Sequence, residues 1–347
     1  MEILHLSIII PTLNSSLTLR SCLDSIASQN YPKEILEVIF ADGGSRDTTL
    51  NIIEEFKTKF PDLRVKIVEN RLKTGEAGKA AALKIATHEI LVFIDSDNVL
   101  DSNDWLKKMV EPFGDKEIIA AEPIRYTYRK EDGYITRYCA LMGMNDPLCY
   151  FLGNYDRECL LSGKWTQMPF KVKEDCVSYL KLYLDPRQLP TIGANGFFIR
   201  KSELDGLKIR DYLFDIDILA QILSENSNKC IAKVRVGIVH LFTGTLAGFC
   251  QKQKRRISDF RYFSRNKYRS YAWHKISRKG LLYFCFCCLF ILPLIGQAFK
   301  GYLRKNDPCW LMHPIFCILT FGIYIFGVLL SQKTIERAQW QLPKTGF

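Results

Sequence analysis

Two aspartates, Asp95 and Asp97, come directly after the apolar run of residues 90–94. A continuous apolar run of this length predicts a strand that is buried on both faces. Side chains two positions apart on an extended backbone point the same way, so both carboxylates can converge beyond the strand end. Such hard oxygen ligands suit Mg²⁺ or Mn²⁺, usually with substrate phosphates. An ordinary acidic loop after a strand is the competing interpretation.

Polar residues also follow two earlier predicted strands. Residues 7–10 run into Pro11-Thr12-Leu13-Asn14, and residues 38–41 run into Asp42-Gly43-Gly44. A carboxylate buried at a strand end needs a partner, which favours a ligand role for Asp42. A simple Asp-Gly turn followed by a helix cap is the alternative. The glycines would allow the backbone to approach a ligand closely.

The elements that position these residues alternate along the chain. Apolar patterns predict strands at residues 7–10, 38–41, 65–68 and 90–94, with helices at residues 16–29, 48–60 and 77–86 between them. This β-α-β-α order predicts an α/β fold with a mainly parallel sheet and helices on both faces. The carboxyl ends of the strands then meet at one edge, where ligands bind in such sheets.

Two nucleotide-binding motifs are excluded. In the stretch around Gly78 and Lys79, Lys73 stands where a phosphate-binding P-loop needs its first glycine, and Ala80 where it needs Ser or Thr. No G-x-G-x-x-G follows a predicted strand, which counts against a dinucleotide dehydrogenase. Lys79 could contact a diphosphate or be a solvated lysine.

Taken in order, Pro11-Thr-Leu-Asn14, Asp42-Gly-Gly, Gly78-Lys-Ala and Asp95-Ser-Asp97 resemble the signatures of family 2 glycosyltransferases with the GT-A fold, over residues 5–120. The resemblance implies an inverting transferase that uses a nucleotide-diphospho-sugar, with a UDP-sugar favoured, and Mg²⁺ or Mn²⁺. It implies that Asp42 faces the base and that Asp95 and Asp97 bind the metal. The implied nucleotide-sugar-binding residues are Pro11, Thr12, Asn14, Asp42, Gly43, Lys79, Asp95 and Ser96.

The second half resembles the family more loosely. Asn195 and Gly196 match its acceptor-side loop, although an ordinary loop before a strand fits too. Asp217 matches the catalytic base, with Asp215 as the fallback, and Ile216 stands where the family has Glu. One carboxylate must take the proton of the attacking acceptor hydroxyl. A phosphate acceptor would weaken that need.

Two further matches follow the last predicted strand. His240 stands where some members supply a metal ligand, although a lone histidine is more often structural. Residues 253–257 resemble the Q-x-x-R-W signature, with Ile257 in place of Trp. By this resemblance Gln253, Arg255 and Arg256 contact the acceptor or the diphosphate.

The C-terminal third has a different composition. Residues 250–279 hold eleven Lys or Arg and one acid, interleaved with aromatic residues, and two charge-free runs follow at residues 281–299 and 309–330. About 20 apolar residues span a bilayer, so the runs predict a transmembrane hairpin, with buried helices of a soluble core as the alternative. The basic flank favours an anionic lipid surface over nucleic acid and places the catalytic domain in the cytoplasm.

These features predict a membrane-anchored enzyme. The predicted parts are a catalytic domain of residues 1–245 (nucleotide-sugar half 1–120, acceptor half 121–245), an interfacial segment 246–280, two transmembrane helices within 281–331, and a cytoplasmic tail 332–347. The membrane setting favours a lipid-linked glycan or glycolipid as the acceptor in envelope glycan synthesis. Three alternatives stay open: a polyprenyl-phosphate sugar transferase, a nucleotidyltransferase, and a non-catalytic nucleotide-sugar-binding protein.

Overall fold

The computed structural model describes residues 3–193, 195–271 and 277–329. By compactness the described chain divides into two units. Unit 1 holds residues 3–124 and 169–239, and unit 2 holds residues 125–168 and 240–329. The predicted end of the catalytic domain at residue 245 and the division of its halves at residue 120 stay predictions. The described chain passes between the compact units three times, after residues 124, 168 and 239.

The first part of unit 1 alternates strands and helices, and every strand and helix predicted there is confirmed. The elements are β1 (Leu6–Thr12), α1 (Leu19–Ala27), β2 (Leu36–Asp42), α2 (Thr49–Lys59), β3 (Arg64–Glu69), α3 (Gly75–Leu83) and β4 (Ile90–Phe93).

The remaining elements are less regular in order. Up to the middle of the chain they are β5 (Asn98–Leu100), α4 (Trp105–Val110), β6 (Ile118–Tyr126), α5 (Tyr134–Met142), α6 (Leu148–Leu152), β7 (Phe170–Asp175) and β8 (Tyr179–Leu184). After these come β9 (Phe197–Arg200), α7 (Asp215–Glu225), β10 (Cys230–His240), α8 (Leu246–Arg265), α9 (Arg278–Phe290), α10 (Leu292–Arg304) and α11 (Met312–Leu329).

Ten strands form one mixed sheet in the order β3-β2-β1-β4-β9-β6-β10-β8-β7, with β5 paired to β10. Strands β1 to β4 pair in parallel, whereas β9 runs antiparallel to both β4 and β6. The predicted α/β architecture is therefore confirmed as a mixed sheet. Its parallel half brings the carboxyl ends of β1, β2 and β4 to one edge.

Apolar spacing explains how this half holds together. Strand β2 is buried along its whole length, and helix α1 buries Leu19, Cys22, Leu23 and Ile26, the spacing of one helix face. Helix α3 lies close to the sheet at Gly78, where an added Cβ would come within 3.0 Å of the Pro11 Cβ atom. Glycine at this position therefore allows the close packing of α3 on β1.

Unit 2 has its own core of aromatic side chains. The Phe316 ring of α11 stacks on Phe249 of α8 at 4.4 Å between ring centroids and lies 4.9 Å from Tyr138 of α5. The Tyr138 hydroxyl is 2.8 Å from Nδ1 of the fully buried His313. Helix α11 thus packs against both α5 and α8.

The predicted membrane span of residues 281–299 is not one continuous helix. Helices α9 and α10 are bent by 95° at Ile291. Pro293 lies at the start of α10, and a proline inside a helix would remove a hydrogen bond and clash with the preceding turn. Among the described residues one helix, Pro308–Gly327, is long and apolar enough to cross a membrane by length and composition. The two-span hairpin is not confirmed.

Candidate active site

The parallel strand ends in unit 1 bring the first group of predicted residues together. In the register of β1 and β2, Thr12 pairs with Asp42, and Ile9 of β1 pairs with Phe93 of β4. Asp95 therefore follows β4 at about the level at which Pro11 lies in β1. This places Thr12, Asp42 and Asp95 along one edge of three adjacent strands.

The Asp42 carboxylate organises the loop that follows it. One oxygen accepts hydrogen bonds from the Thr12 hydroxyl at 3.0 Å and the Ser45 hydroxyl at 2.6 Å. The other accepts the backbone N–H groups of Gly44 and Ser45, both at 2.9 Å. Asp42 thus makes the tight Asp-Gly turn that was the alternative interpretation of the sequence. This turn lies at the carboxyl end of β2, on the edge described above. A role toward a nucleotide base stays a prediction.

The loop after β1 is tied to the same turn. Asn14 has a φ of 51°, a left-handed conformation that asparagine tolerates better than most residues. Its backbone N–H donates to the Ser45 hydroxyl at 2.9 Å, and its side-chain oxygen accepts the Arg46 N–H at 2.8 Å. Gly43 lies beside Leu13, whose Cδ1 atom is 3.3 Å from the place that an added Cβ would take.

The loop after β4 is held by a residue that the sequence reasoning missed. The fully buried Asn98 accepts the Asp95 N–H at 3.0 Å and donates to the Asn195 side-chain oxygen at 2.9 Å. Ser96 donates to Ser15 at 2.9 Å. Asn98 therefore couples the Asp95–Asp97 pair to the predicted acceptor loop. Its position one residue after Asp97 was the available signal.

The donor set at this loop suits a divalent ion that binds together with a substrate. Asp95 and Asp97 are half-buried, and their charges contribute to raising the pKa of the buried Cys22 thiol, after burial itself. Within the described ranges, no group of three or more His, Cys, Asp or Glu side chains could hold a metal ion. Two carboxylates do not make a complete cage, but Mg²⁺ commonly uses one or two together with phosphate oxygens and water.

Lys79 and Asp215, 136 residues apart in sequence, form a buried ion pair. The Lys79 side chain is 5% exposed and the Asp215 side chain 8%. Burial alone would lower the pKa of Lys79, but the charges of Asp215, Asp95 and Glu76 outweigh it and raise this pKa. A buried cation therefore lies at the carboxylate edge of the sheet. The solvated-lysine interpretation is wrong for Lys79.

A second buried ion pair supports the loop that contains Gly193. Lys233 and Glu122, both fully buried, lie 2.8 Å apart, and Glu122 also accepts the Gly193 N–H at 2.9 Å. Gly193 packs so closely on Asp215 that an added Cβ would come within 2.5 Å of a carboxylate oxygen. The two ion pairs therefore meet at Gly193. Neither partnership could be read from the sequence.

The residues proposed for the acceptor side in unit 1 lie at this same loop. The Gly196 N–H donates to the Phe93 carbonyl at the end of β4, at 3.0 Å. Its φ of 82° suits glycine, and an added Cβ would lie 3.0 Å from the Trp105 ring. Asp217, 7% exposed, lies in the first turn of α7, where the helix dipole stabilises negative charge.

His240, Gln253, Arg255 and Arg256 belong to unit 2. The His240 Nδ1 atom lies 3.1 Å from the Asn145 side-chain nitrogen, and its ring packs between Tyr126 and Phe242. With the amide as donor, the neutral ring carries its proton on Nε2. For Nε2 to bind a metal, the ring proton would have to be on Nδ1 instead. The Asn145 amide would then have to rotate so that its oxygen accepts the Nδ1–H group.

Gln253 has a structural environment. It is fully buried and donates to the Asn145 carbonyl at 2.9 Å, and its oxygen lies 3.1 Å from the Tyr324 hydroxyl. Arg256 donates to the same oxygen at 3.2 Å and stacks over Phe242. Burial would lower the pKa of Arg256, but Asp146, Tyr324 and neighbouring cysteines together outweigh it and raise this pKa.

The other two positions of this motif differ in their surroundings. Arg255 is exposed, 4.0 Å from Asp259 one turn along α8. Ile257, which replaces the family's Trp, packs against Gly327 of α11, where an added Cβ would come within 3.0 Å. The glycine at position 327 therefore allows α11 to approach Ile257 closely.

Known proteins resemble this chain in sequence and in fold. The family model for glycosyl transferase family 2 matches residues 7–165. The Bacillus subtilis minor teichoic acid biosynthesis protein GgaA is 29% identical over 222 residues, covering 59% of this chain and 49% of that protein. The Staphylococcus aureus poly(ribitol-phosphate) beta-N-acetylglucosaminyltransferase TarS is 36% identical over 201 residues, covering 55% and 35%. This chain thus spans less than half the length of each.

One solved structure shares the fold across most of the chain. The mannosyltransferase PcManGT of Pyrobaculum calidifontis, solved with GDP-mannose and Mn²⁺, superposes with a TM-score of 0.57 at 16% identity, covering 96% of this chain and 89% of that one. At this identity the similarity establishes the GT-A fold and nothing further. Together with the ordered motifs along β1 to β4, these matches show that residues 7–165 form a glycosyl transferase family 2 domain.

Proposed function

We propose that this protein is an inverting glycosyltransferase that moves a sugar from a nucleotide-diphospho-sugar, with a UDP-sugar favoured, to an acceptor in cell-envelope glycan synthesis. The observation that carries the proposal is the edge of unit 1, where Asp42 ends β2, Asp95 and Asp97 follow β4, and Lys79 of α3 pairs with Asp215 at the start of α7, the helix that also carries Asp217. The match of residues 7–165 to the glycosyl transferase family 2 model supports the reaction class. The relatives named for teichoic acid and poly(ribitol-phosphate) support the envelope setting.

In this proposal the nucleotide lies along the ends of β1 and β2. Pro11, Thr12, Asn14 and Gly43 line it, and the turn held by Asp42 faces the base. Asp95, Ser96 and Asp97 lie at the diphosphate, with Mg²⁺ or Mn²⁺ held by the two carboxylates. When bound, this ion would neutralise charge on the departing nucleoside diphosphate. The role of His240, which belongs to unit 2, as a metal ligand stays a prediction.

We assign the base to Asp217 rather than to Asp215. The Asp215 carboxylate already accepts a hydrogen bond from the buried Lys79 ammonium group and packs on Gly193. That leaves it poorly suited to take a further proton from an acceptor hydroxyl. Asp217, two residues later on the first turn of α7, would take that proton as the hydroxyl attacks the anomeric carbon. Asp215 and Lys79 then position the start of α7.

The acceptor in this proposal approaches the loop of Asn195 and Gly196. The backbone at Gly196 allows close approach, and Asn98 links Asn195 to the metal-binding loop. Gln253, Arg255 and Arg256 are proposed to act on the acceptor or the diphosphate. An acceptor carrying phosphate, as a polyol-phosphate polymer or a lipid-linked glycan does, would suit the guanidinium groups.

The test is a transfer assay with the full chain, MnCl₂ and a panel of UDP-sugars and GDP-mannose. Poly(ribitol phosphate), a lipid-linked glycan and polyprenyl phosphate serve as acceptors. We expect release of nucleoside diphosphate with one donor, and a product whose anomeric configuration is inverted by NMR. Synthesis of nucleotide-sugar from sugar 1-phosphate and nucleoside triphosphate would overturn the proposal. So would nucleotide binding without turnover on any acceptor.

A further inference from the structure

The bent pair α9–α10 has an apolar outer face that the described residues of the chain leave exposed. At the bend, Leu289 is 67% exposed, Phe290 61% and Leu292 76%. The inner face of the pair is buried through Phe284, Cys288 and Leu294. Contiguous exposed apolar surface of this kind marks a contact with another molecule or with lipid. A basic rim flanks it, through Arg278, Lys279, Lys300, Arg304 and Lys305.

Both ends of the pair are attached to one polar segment, residues 125–168. At the start of α9, Gly280 packs directly on the Phe151 carbonyl, and the Phe284 ring lies 5.0 Å from that of Phe151. After α10, the buried Asp307 accepts two hydrogen bonds from Arg137, at 2.9 and 3.1 Å, and one from Tyr128 at 2.6 Å.

Segment 125–168 cannot cross a bilayer, since it carries eleven charged residues in 44. The two ends of the α9–α10 pair therefore lie on the same side of a membrane. A transmembrane hairpin would instead place the loop of residues 305–308 on the opposite side. The contacts of Asp307 are incompatible with that arrangement.

Helix α11 is also held within unit 2 along its length. Besides the Phe316 contacts near its start, the Tyr324 hydroxyl donates to Asp146 at 2.5 Å, and the Gly327 carbonyl accepts from Arg261 of α8. Helix α8 carries seven charged residues and is unsuited to the bilayer interior. A helix packed along α8 in this way shares its side of the membrane.

The dimensions of the bend match half a bilayer. Each arm of 13 residues is roughly 20 Å long at 1.5 Å per residue. With the two arms inclined equally at a 95° bend, the apex lies about 14 Å below the arm ends. Half of the hydrocarbon core of a bilayer is about 15 Å thick.

We propose that α9 and α10 form a re-entrant anchor that enters one leaflet of an anionic membrane, apex first, and returns to the side it came from. The apolar apex lies among acyl chains and the basic rim lies at the headgroups. Neither this pair nor α11 crosses the bilayer. The occupant of the outer face is lipid rather than a second copy of the chain, because the basic rim complements anionic headgroups and would repel its own copy.

The first test is flotation of the full chain with phosphatidylglycerol vesicles. We expect Leu289→Asp and Leu292→Asp each to weaken binding about tenfold or more, since both side chains are exposed and their loss leaves the fold intact. Val177→Asp, at a position that is 98% exposed in unit 1, is the matched control and should bind as the unsubstituted chain does. Unchanged vesicle binding of both apex variants overturns the proposal, as does a dimer that the apex variants dissociate.

The second test distinguishes a re-entrant pair from a spanning one. Cysteine is introduced at Asn306, exposed in the loop after α10, and separately at Glu131, 72% exposed in segment 125–168. Sealed inverted membrane vesicles are treated with an impermeant maleimide, and the labelling of the unsubstituted chain is subtracted. We expect both positions to be labelled from the same side. Labelling of Asn306→Cys only after detergent, with Glu131→Cys labelled before it, overturns the proposal.

Discussion

Buried charge serves different ends in the two units. In unit 1, Lys79–Asp215 and Glu122–Lys233 converge on the strand-end edge where Asp95 and Asp97 lie, and they hold the loop of Gly193. In unit 2, Arg137 and Asp307 hold the end of a helix pair against a polar segment. Burial of an ion pair therefore does not by itself indicate a functional site. The role of a buried pair depends on which helices, strands or loops it holds together.

The largest effect on turnover should come from Asp217→Asn. This substitution tests whether the edge of unit 1 carries the catalytic base. We expect kcat to fall on the order of a thousandfold, because a positioned general base is lost. Nucleotide binding by calorimetry should be unchanged. Glu225→Gln, in the last turn of the same helix, is the control. Full turnover of Asp217→Asn would transfer the role to another group.

Lys79→Met should chiefly affect stability. Removing the cation beside a buried carboxylate should lower the free energy of unfolding by about 3 kcal/mol or more. The double variant Lys79→Met/Asp215→Leu should recover much of that loss without recovering turnover. Urea unfolding measures both, with Lys84→Met, at an exposed position just after the same helix, as the control. Recovery of turnover in the double variant would contradict a positioning role for the pair.

Asp307→Asn tests the structural role of the buried ion pair in unit 2. Burial raises the pKa of Asp307, but hydrogen bonds from Tyr128 and Arg137 reverse this and lower it to about 2, from 3.8. The contribution to folding is therefore present above about pH 4 and is lost as the pH falls toward 2. At pH 7 we expect Asp307→Asn to cost about 2 kcal/mol in the free energy of unfolding.

This loss should disappear in acid. Unfolding of Asp307→Asn should depend less on pH between 4 and 2 than unfolding of the unsubstituted chain, while Glu131→Gln should behave as the unsubstituted chain does. If Asp307→Asn abolished turnover without lowering the free energy of unfolding, the Arg137–Asp307 pair would have a catalytic role and the contrast between the two units would be wrong.

The smallest effect concerns the altered motif. Ile257→Trp restores the family residue, but on one side Ile257 already packs closely against Gly327 of α11. We expect overpacking to cost about 1–2 kcal/mol in thermal or urea unfolding. Ile257→Val should cost less. A more stable Ile257→Trp variant would mean that α11 is not tightly packed there.

The sequence predicted what local pattern encodes. Apolar runs and strand-end turns were sufficient for β1 to β4 and for the shared edge of Asp42 and Asp95, because parallel strands bring those ends together. The pairing of Lys79 with Asp215 depends on tertiary contacts between α3 and α7, which no local spacing contains. Asn98 looked like an ordinary loop residue until Asn195 was placed beside it.

The apolar C-terminal runs were not sufficient to predict the membrane topology, for a physical reason. Composition alone does not distinguish a straight span from a bent pair, and Pro293 within the first run was the overlooked signal. The re-entrant arrangement that we propose depends on the hydrogen bonds of Asp307 to a segment more than 150 residues earlier, which no local pattern contains. A proline within a long charge-free run therefore indicates that the run can form two helices rather than one.

The central claim is that unit 1 binds a nucleotide-diphospho-sugar with a divalent ion at Asp95 and Asp97. Isothermal titration calorimetry of the full chain with UDP and GDP, with and without Mn²⁺, tests it most directly. We predict that one nucleotide binds in a Mn²⁺-dependent manner, and that Asp97→Asn abolishes the Mn²⁺ dependence while Asp62→Asn, at an exposed position, does not. Binding of neither nucleotide, or binding that is indifferent both to Mn²⁺ and to Asp97→Asn, would contradict the account.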